Sequence, residues 1–472
     1  MDSNEYSLLY GGAYSIKNYY MESGNPRQMR GASEILNECS FKLGEHLKCS
    51  GVPEDQIIKS GATLSALVPL DIGKRLALDA EKIYYDISRT ANVAFVSVPF
   101  EKNYIETKKH AINEYENRRA IKFISWEHQN SLDSSLYYNR ADPNVRQPCP
   151  RCRLRNITYH VTHDNGEEMD LCTSCAKREE KSGQRKYNFR KDCGSEFDYS
   201  YEINTTEKLQ DRNGHIALLY ADVNNLGGQE DKNTFEADRS FHRDVEQAVT
   251  NAVHTAIKSA MSDEKLNEAG KIDAKFEIIA LGGDDVCLLL PGDTVLLTAK
   301  ALMEEFNKNE HGLTISVAAC VANYTTAITY IESIAARALK KAKEHAYNNK
   351  TSKQSAICIS YYEKPSALFP MTEEDFIVFC DLMKKMLSVD VGASALRNIS
   401  EAHRSISEAL RNLSDTRRTM AIDAEFKLFF RYYITRQVDI IEKNKPILER
   451  IYKEYSVGNP WSDFLTWHNQ KM

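Results

Sequence analysis

The sequence predicts an α+β protein with two related β-α-β-β-α-β units, a zinc-ribbon insert between them and a helical C-terminal part. Three observations carry this reading: a strand-and-helix order that occurs twice, two CxxC pairs between the copies, and an all-helical pattern after about Ser366. The repeated order is the ferredoxin-like split βαβ pattern. The predicted boundaries are 1–139 for the first unit, 140–200 for the insert, 201–365 for the second unit and 366–472 for the helical part.

The second unit is the more legible. Ile216 to Asp222 is a short apolar run ending on an acid, which predicts a buried strand. Over 236–262, Phe241, Val245, Val249, Val253 and Ile257 recur at helical spacing. Phe276–Ala280 and Val286–Leu290 predict two strands joined by the turn Leu281-Gly-Gly-Asp-Asp285. A helix over Thr294–Asn307, a strand over Leu313–Cys320, an Ala-rich helical stripe from Ile331 to Ala346 and a strand over Ala356–Tyr361 follow.

The first unit echoes this order. Leu8-Leu-Tyr10 matches Leu218-Leu-Tyr220 at an offset of 210, and Ile57-Ile-Lys-Ser-Gly61 matches Ile278-Ile-Ala-Leu-Gly282 at 221. A strand at Leu64–Val68, a helix near 71–89 and a strand at Asn92–Val98 complete it. In this alignment Gly12 stands for Asp222, and Ala62, Thr63 and Leu64 stand for Gly283, Asp284 and Asp285. The first copy thus lacks all three carboxylates. After Ser366, Thr372 is a helix N-cap candidate with Glu373 and Glu374 in the first turn.

The 472 residues suit about three domains. Hydrophobic residues are 42% and charged residues 27%, which excludes a fibrous or wholly disordered chain. A net charge of −6 gives no global nucleic-acid signature, so any such contact is a local patch. Eleven cysteines with two CxxC pairs indicate a metal site in a reducing compartment, not a disulfide framework. No apolar run reaches the ~18 residues of a membrane span. Met1–Tyr10 carries Asp2 and Glu5 and no basic residue, unlike a signal peptide. A cytoplasmic location without membrane attachment is the expectation.

Five clusters carry candidate chemistry. In a split βαβ sheet the strand ending at Asp222 lies beside the hairpin bearing Asp284 and Asp285, so the three carboxylates converge. Crowded carboxylates repel unless hard cations neutralise them, and Mg²⁺ or Mn²⁺ suits such a site. Two such ions can clamp the attacking and leaving oxygens of a phosphoryl transfer. Gly282 and Gly283 leave room for a nucleotide, although Gly-Gly-Asp-Asp is also ordinary turn chemistry. Asn224, Asn225, Gly227 and Gly228 follow Asp222 and offer polar groups and free amides to a base, sugar or phosphate; an ordinary strand-to-helix loop is the alternative.

Cys149-Pro-Arg-Cys152 and Cys172-Thr-Ser-Cys175 have zinc-ribbon spacing. Four Cys ligands leave no open position, so this zinc is expected to be structural. The basic stretch Lys177–Lys191 surrounds Tyr187 and Phe189, which suits a nucleic acid, though a solvated charged loop is commoner. Lys343, beside Lys340 and Lys341, can meet a triphosphate or simply face solvent. His163-Asp164 precedes Asn165-Gly166 and reads as the tip of the zinc hairpin, not a hydrolase centre.

Leu219-Tyr-Ala-Asp-Val-Asn-Asn-Leu-Gly227 with Ile279-Ala-Leu-Gly-Gly-Asp-Asp285 resembles the second Palm domain of the large subunit of type III CRISPR effector complexes, the CRISPR polymerase. Ile16-Lys-Asn-Tyr-Tyr-Met-Glu-Ser23 and Met29-Arg-Gly-Ala-Ser-Glu34 resemble that family's first Palm domain. The resemblance implies that ATP is joined through 3′–5′ bonds and closed into cyclic oligoadenylate, with two Mg²⁺ or Mn²⁺ at the catalytic acids Asp222, Asp284 and Asp285. It implies guide RNA and other subunits as partners, with target RNA as activator. The chain begins at the first Palm, so the HD nuclease of many relatives, and its DNase activity, are expected to be absent. The first Palm is expected to supply a nucleotide-facing wall through Gly61 and Ala62. A stand-alone signalling cyclase and a silent scaffold binding guide RNA are the alternatives. A diguanylate cyclase shares the fold, but Asp285-Val286 stands where that family has Glu-Phe.

Overall fold

The computed structural model describes residues 5–101, 103–120, 147–162, 168–182, 197–198, 203, 205–226, 234–261, 266–348, 354–362, 364–377 and 380. The first unit runs β1 (Tyr6–Tyr14), α1 (Ile16–Met21), α2 (Pro26–Cys49), β2 (Ile57–Ser60), β3 (Thr63–Pro69), α3 (Leu70–Ser88), β4 (Asn92–Pro99) and α4 (Tyr104–Ala120). Its sheet order is β2-β3-β1-β4, with every pairing antiparallel. Strand alternation sorts the side chains: Leu9, Leu64, Ala66 and Val68 enter the core under α2 and α3, whereas Leu8 and Leu67 pack with Tyr104 and Ala111 of α4.

The insert contributes the hairpin β5 (Tyr159–Thr162) and β6 (Glu168–Leu171) and the helix α5 (Thr173–Lys181). A short strand β7 (Phe197–Asp198) then pairs in parallel with β9 (Ile272–Asp273) of the second unit.

The second unit is β8 (His215–Val223), α6 (Phe235–Met261), β9, β10 (Glu277–Gly282), β11 (Asp285–Pro291), α7 (Val295–Phe306), β12 (Ile315–Asn323), α8 (Ile328–Asn348), β13 (Ala356–Tyr361) and β14 (Lys364–Thr372). The sheet order β10-β11-β8-β12-β13-β14 repeats the four-strand order of the first unit and extends it by two strands. The central β8 is buried on both faces. Ala217 and Leu219 meet Val245, Val249 and Val253 of α6 and Leu296 of α7. Leu218 and Tyr220 meet Ile331, Ala335 and Ala338 of α8. The predicted helical stripes are these two faces.

Two expectations are corrected. The pattern after Ser366 is not all-helical, because β14 continues to Thr372 as the edge strand beside β13. An edge strand tolerates Pro365 and Pro370, whose missing N–H groups a central strand would need. The helix starts only at Glu373, and Thr372 Oγ1 accepts from Asp375 N at 3.2 Å, so the cap is where the sequence indicated. The rest of the predicted helical domain, from 381 on, lies outside the described residues.

The second correction concerns the repeat. Ile57 opposes Ala66 and Ile278 opposes Leu288, so the offset of 221 holds at the start of β2 and β10. A bulge between Ile278 and Ala280 then inserts one residue into β10. Beyond it Gly12 opposes Thr63 as Asp222 opposes Asp285, and Ser60 opposes Thr63 as Gly282 opposes Asp285. The counterparts of Gly283, Asp284 and Asp285 are therefore Gly61, Ala62 and Thr63, not Ala62, Thr63 and Leu64. Backbone bonds agree: Ala13 N donates to Ala62 O as Val223 N donates to Asp284 O. Leu64 is a buried core residue.

The helix α2 joins all three parts. Asn25 caps it, accepting from Arg27 N at 3.0 Å and Gln28 N at 3.3 Å, and Pro26 occupies its first turn. Gln28 donates to Cys175 O at 3.1 Å and to Glu179 of α5. Buried Arg30 donates to Ser182 O just past α5 and to Glu277 at the start of β10. Gly31 lies against the backbone of Arg178, leaving no space for a Cβ. Arg155 and Arg178 both pair with Glu22, at 2.5 and 2.6 Å, and Arg178 stacks over Tyr19.

Candidate active site and metal centre

The strand register builds an acidic site. Asp222 near the end of β8 lies directly opposite Asp285 at the start of β11, and Asp284 forms the turn before it. Gly283 in that turn has φ of 63°, in the left-handed region. Although Asp285 is open to the cleft, loss of solvent around its carboxyl, then the charges of Asp284 and Asp222, push its pKa up to about 7. Desolvation, then the Asp222 charge, also raises Asp284. The three acids share one sheet end and interact through their charges, a donor set of the kind hard cations take.

Two lysines balance part of this charge. Lys343 of α8 pairs with Asp222 at 2.5 Å, so of the three lysines singled out it is the one at the site. Lys341 pairs with Glu344 in solvent, and Lys340 is exposed. Lys17, which sequence reasoning missed, comes from α1 of the first unit. Its Nζ lies 4.6 Å above the Tyr220 ring, and its charge favours ionised Asp285. Nothing in the sequence ties Lys17 to Asp285, because the link is the packing of one unit on the other.

The proposed loop residues divide. Asn224 is buried, donating to Thr314 Oγ1 at 3.0 Å and accepting from Ser316 Oγ at 2.8 Å. Its side chain ties the end of β8 to β12. Asn225 is exposed in the left-handed region at φ 59°. Gly227 and Gly228 lie outside the described residues, as do His163-Asp164 and the basic stretch beyond Ser182.

A cleft opens between the units beside Asp285. Lys17, Tyr20, Asn37 and Ala62 line it on one side, Tyr220 and Asp285 on the other. Its water-accessible volume is about 70 Å³, below the ~300–1,000 Å³ of ligand pockets, so the cleft is narrow. The two hairpin turns meet at its edge. Gly61 has φ of 56°, and a Cβ there would stand 2.9 Å from Gly282 O. A Cβ on Gly283 would stand 3.1 Å from Gly61 N. The turns are in backbone contact with no side chain between them.

In the first unit the equivalent site is closed. A Cβ at Gly12 would collide with Ala62 O and reach 2.9 Å from the Thr63 Cα. The position matching Asp222 has no room for any side chain, in addition to lacking carboxylates.

The four predicted cysteines form a second centre. The sulfurs of Cys149, Cys152, Cys172 and Cys175 are buried and lie within 4.8 Å of one another. Cys152 Sγ and Cys172 Sγ are 3.8 Å apart, matching the ~3.8 Å between thiolates on a tetrahedral zinc with ~2.3 Å bonds. Cys172 caps α5, so the helix N-terminus also favours thiolates there.

Two ferredoxin-like units, one with an acidic sheet end and one without, define a two-palm protein. Residues 215–352 match the family described as Cas10/Cmr2, second palm domain. No curated protein matches the chain. Among solved structures, a Csm1-Csm4 cassette in complex with cA4 is similar at 12% identity and TM-score 0.60, over 98% of this chain and 70% of that one. A cassette in complex with pppApApA gives 12% identity and TM-score 0.60 over 99% and 70%. An apo cassette gives 12% and 0.58 over the same shares. The chain spans 54% to 70% of the length of the solved chains it matches. The chain is Cas10-like: residues 215–352 match the Cas10/Cmr2 second palm model, and the overall fold is similar to that of Csm1. No helix among the described residues is long and apolar enough to cross a membrane.

Proposed function

We propose that the chain is a nucleotidyltransferase that joins ATP into oligoadenylate and closes it into a cyclic messenger, as the large subunit of a type III CRISPR complex. The observation that carries this reading is the register that sets Asp222 opposite Asp285, with Asp284 alongside, at the mouth of a cleft between two palms. Asp222, Asp284 and Asp285 would hold two Mg²⁺ or Mn²⁺ ions, which supply a clamp on the attacking and leaving oxygens. Lys343 sits where it can leave Asp222 for a triphosphate once cations occupy the acids. Gly282 and Gly283 keep the approach to the acids free of side chains. Ala62 faces the same cleft and would border an acceptor nucleotide without contributing charge. The cysteine centre would hold one structural Zn²⁺. ATP, guide and target RNA, and neighbouring subunits are the partners this reading assigns, in the cytoplasm; the relatives solved as Csm1-Csm4 cassettes with cA4 and pppApApA support the nucleotide class and the assembly.

The test is product analysis after incubation with ATP or GTP and Mn²⁺, alone and with target-bound complex. Oligoadenylate from ATP, abolished in Asp284→Ala/Asp285→Ala, is the expected result. Product unchanged in the double variant, or product from GTP alone, overturns it.

A further inference from the structure

Away from the acids and the cysteines, a chain of polar side chains joins the two units. Asp238, in the first turn of α6, is 1% exposed. Its carboxylate receives Tyr104 Oη at 2.6 Å and Lys108 Nζ at 2.5 Å, both from α4 of the first unit. One turn along α6, His242 Nε2 faces the other oxygen at 3.5 Å. Burial pushes Asp238 up, but the adjacent His242, the Lys108 charge and hydrogen bonds from Lys108 and Tyr104 outweigh it and hold the carboxyl below the usual range. On its other side, His242 Nδ1 and Ser60 Oγ are hydrogen-bonded at 3.0 Å.

Ser60 ends β2 and precedes Gly61, the residue in backbone contact with Gly282 and Gly283. The chain of contacts therefore runs from Asp238 through His242 and Ser60 to the turn that carries Asp284.

We infer that His242 is a positioning residue: held by Asp238, it fixes the Ser60-Gly61 turn of the inactive palm against the Gly282-Asp285 hairpin and so sets the geometry of the acidic site. This rests on the nucleotidyltransferase reading for its catalytic consequence, but not for its structural one. The glycine contact has no side chain to lock it, and among the described residues Ser60 is the anchor next to it. His242 takes no part in bond making.

The experiment uses the full chain, as Ser60→Ala and His242→Phe, in two arms. Hydrogen exchange over residues 57–66 and 277–288 should quicken at least fivefold in both variants, with the β8–β12 ladder unchanged. Exchange identical to the parent in both regions overturns the proposal. In ATP turnover, kcat should fall five- to tenfold with KM and Mn²⁺ affinity within twofold of the parent, and His242→Gln, which can keep one hydrogen bond, should recover part of it. A kcat equal to the parent alongside faster exchange makes the chain a mere domain tether and also overturns the positioning role. A parent chain without turnover refutes the nucleotidyltransferase reading instead, and the exchange arm still decides the clamp.

Discussion

Replacing Arg30 with methionine probes the joint among the three parts of the chain. Arg30 and Glu277 bury their charged groups against each other, at 2% and 0% side-chain exposure, and Arg30 also supplies the donor for Ser182 O. Methionine fills similar volume but leaves Glu277 and that carbonyl without their cation in a site closed to water. Removing one partner of a buried pair costs about 3–5 kcal/mol, against about 5–15 kcal/mol for a whole domain. Replacing both, as Arg30→Met/Glu277→Leu, removes both charges and orphans the Ser182 carbonyl, a cost of about 1–3 kcal/mol. The expected coupling between the two positions is therefore at least ~2 kcal/mol. Urea unfolding followed by circular dichroism on the parent, the two singles and the double gives this cycle directly. The reasoning is refuted if Arg30→Met lies within ~1 kcal/mol of the parent, or if the double costs the sum of the singles.

The other perturbations act on the acidic site, the cysteine cluster and the facing wall. Asp285→Ala should weaken Mn²⁺ binding at least tenfold, read by calorimetry, with an unchanged circular dichroism spectrum. Asp285 and Asp284 both have raised pKa values in the fold, so the metal-free fold holds more protons than the unfolded chain from about pH 4 to 7 and loses that stability as pH rises through about 7. Mn²⁺ binding should then release protons at pH 6.5 and tighten toward pH 8, and equal apparent enthalpies in two buffers of different ionisation heat would contradict this. Cys149→Ser should release one zinc per chain, measured by metal analysis, and lower stability because metal binding is coupled to folding. Ala62→Phe should impair ATP turnover while leaving Mn²⁺ affinity unchanged; full turnover would make the first palm a scaffold only.

The second palm was legible because each of its elements has one buried stripe. Val245, Val249 and Val253 declare α6, and a strand ending on Asp222 before Gly-Gly-Asp-Asp declares the acidic site. The four cysteines were legible from spacing alone. By contrast, α2 was implied by the repeated order but given no bounds. Its apolar stripe of Ala32, Leu36, Cys39, Leu43 and Leu47 faces the first unit's core, whereas the buried polar residues Gln28 and Arg30, which tie it to α5 and β10, follow no local pattern. The register of the repeat slipped because a single bulge in β10 is invisible to an alignment that matches glycines. Asn224 looked like a ligand contact because a polar residue after a strand-end acid reads as exposed, whereas it is satisfied by Thr314 and Ser316 some ninety residues on. Lys17 and His242 owe their positions to contacts between units, which no local pattern encodes.

The placement of Arg30 also bears on how the chain is made. Its two acceptors lie 152 and 247 residues further along. At a synthesis rate of ~5–20 residues per second, the guanidinium on α2 waits roughly 8–50 s between leaving the ribosome and meeting them. During that interval the first palm can close its own core around Leu9, Ile35 and Leu64, but one flank of α2 stays wet and charged. A guanidinium keeps that nascent flank soluble where a leucine would make it sticky. The residue that joins the three parts of the finished chain is thus one whose exposed form adds no apolar surface while it waits.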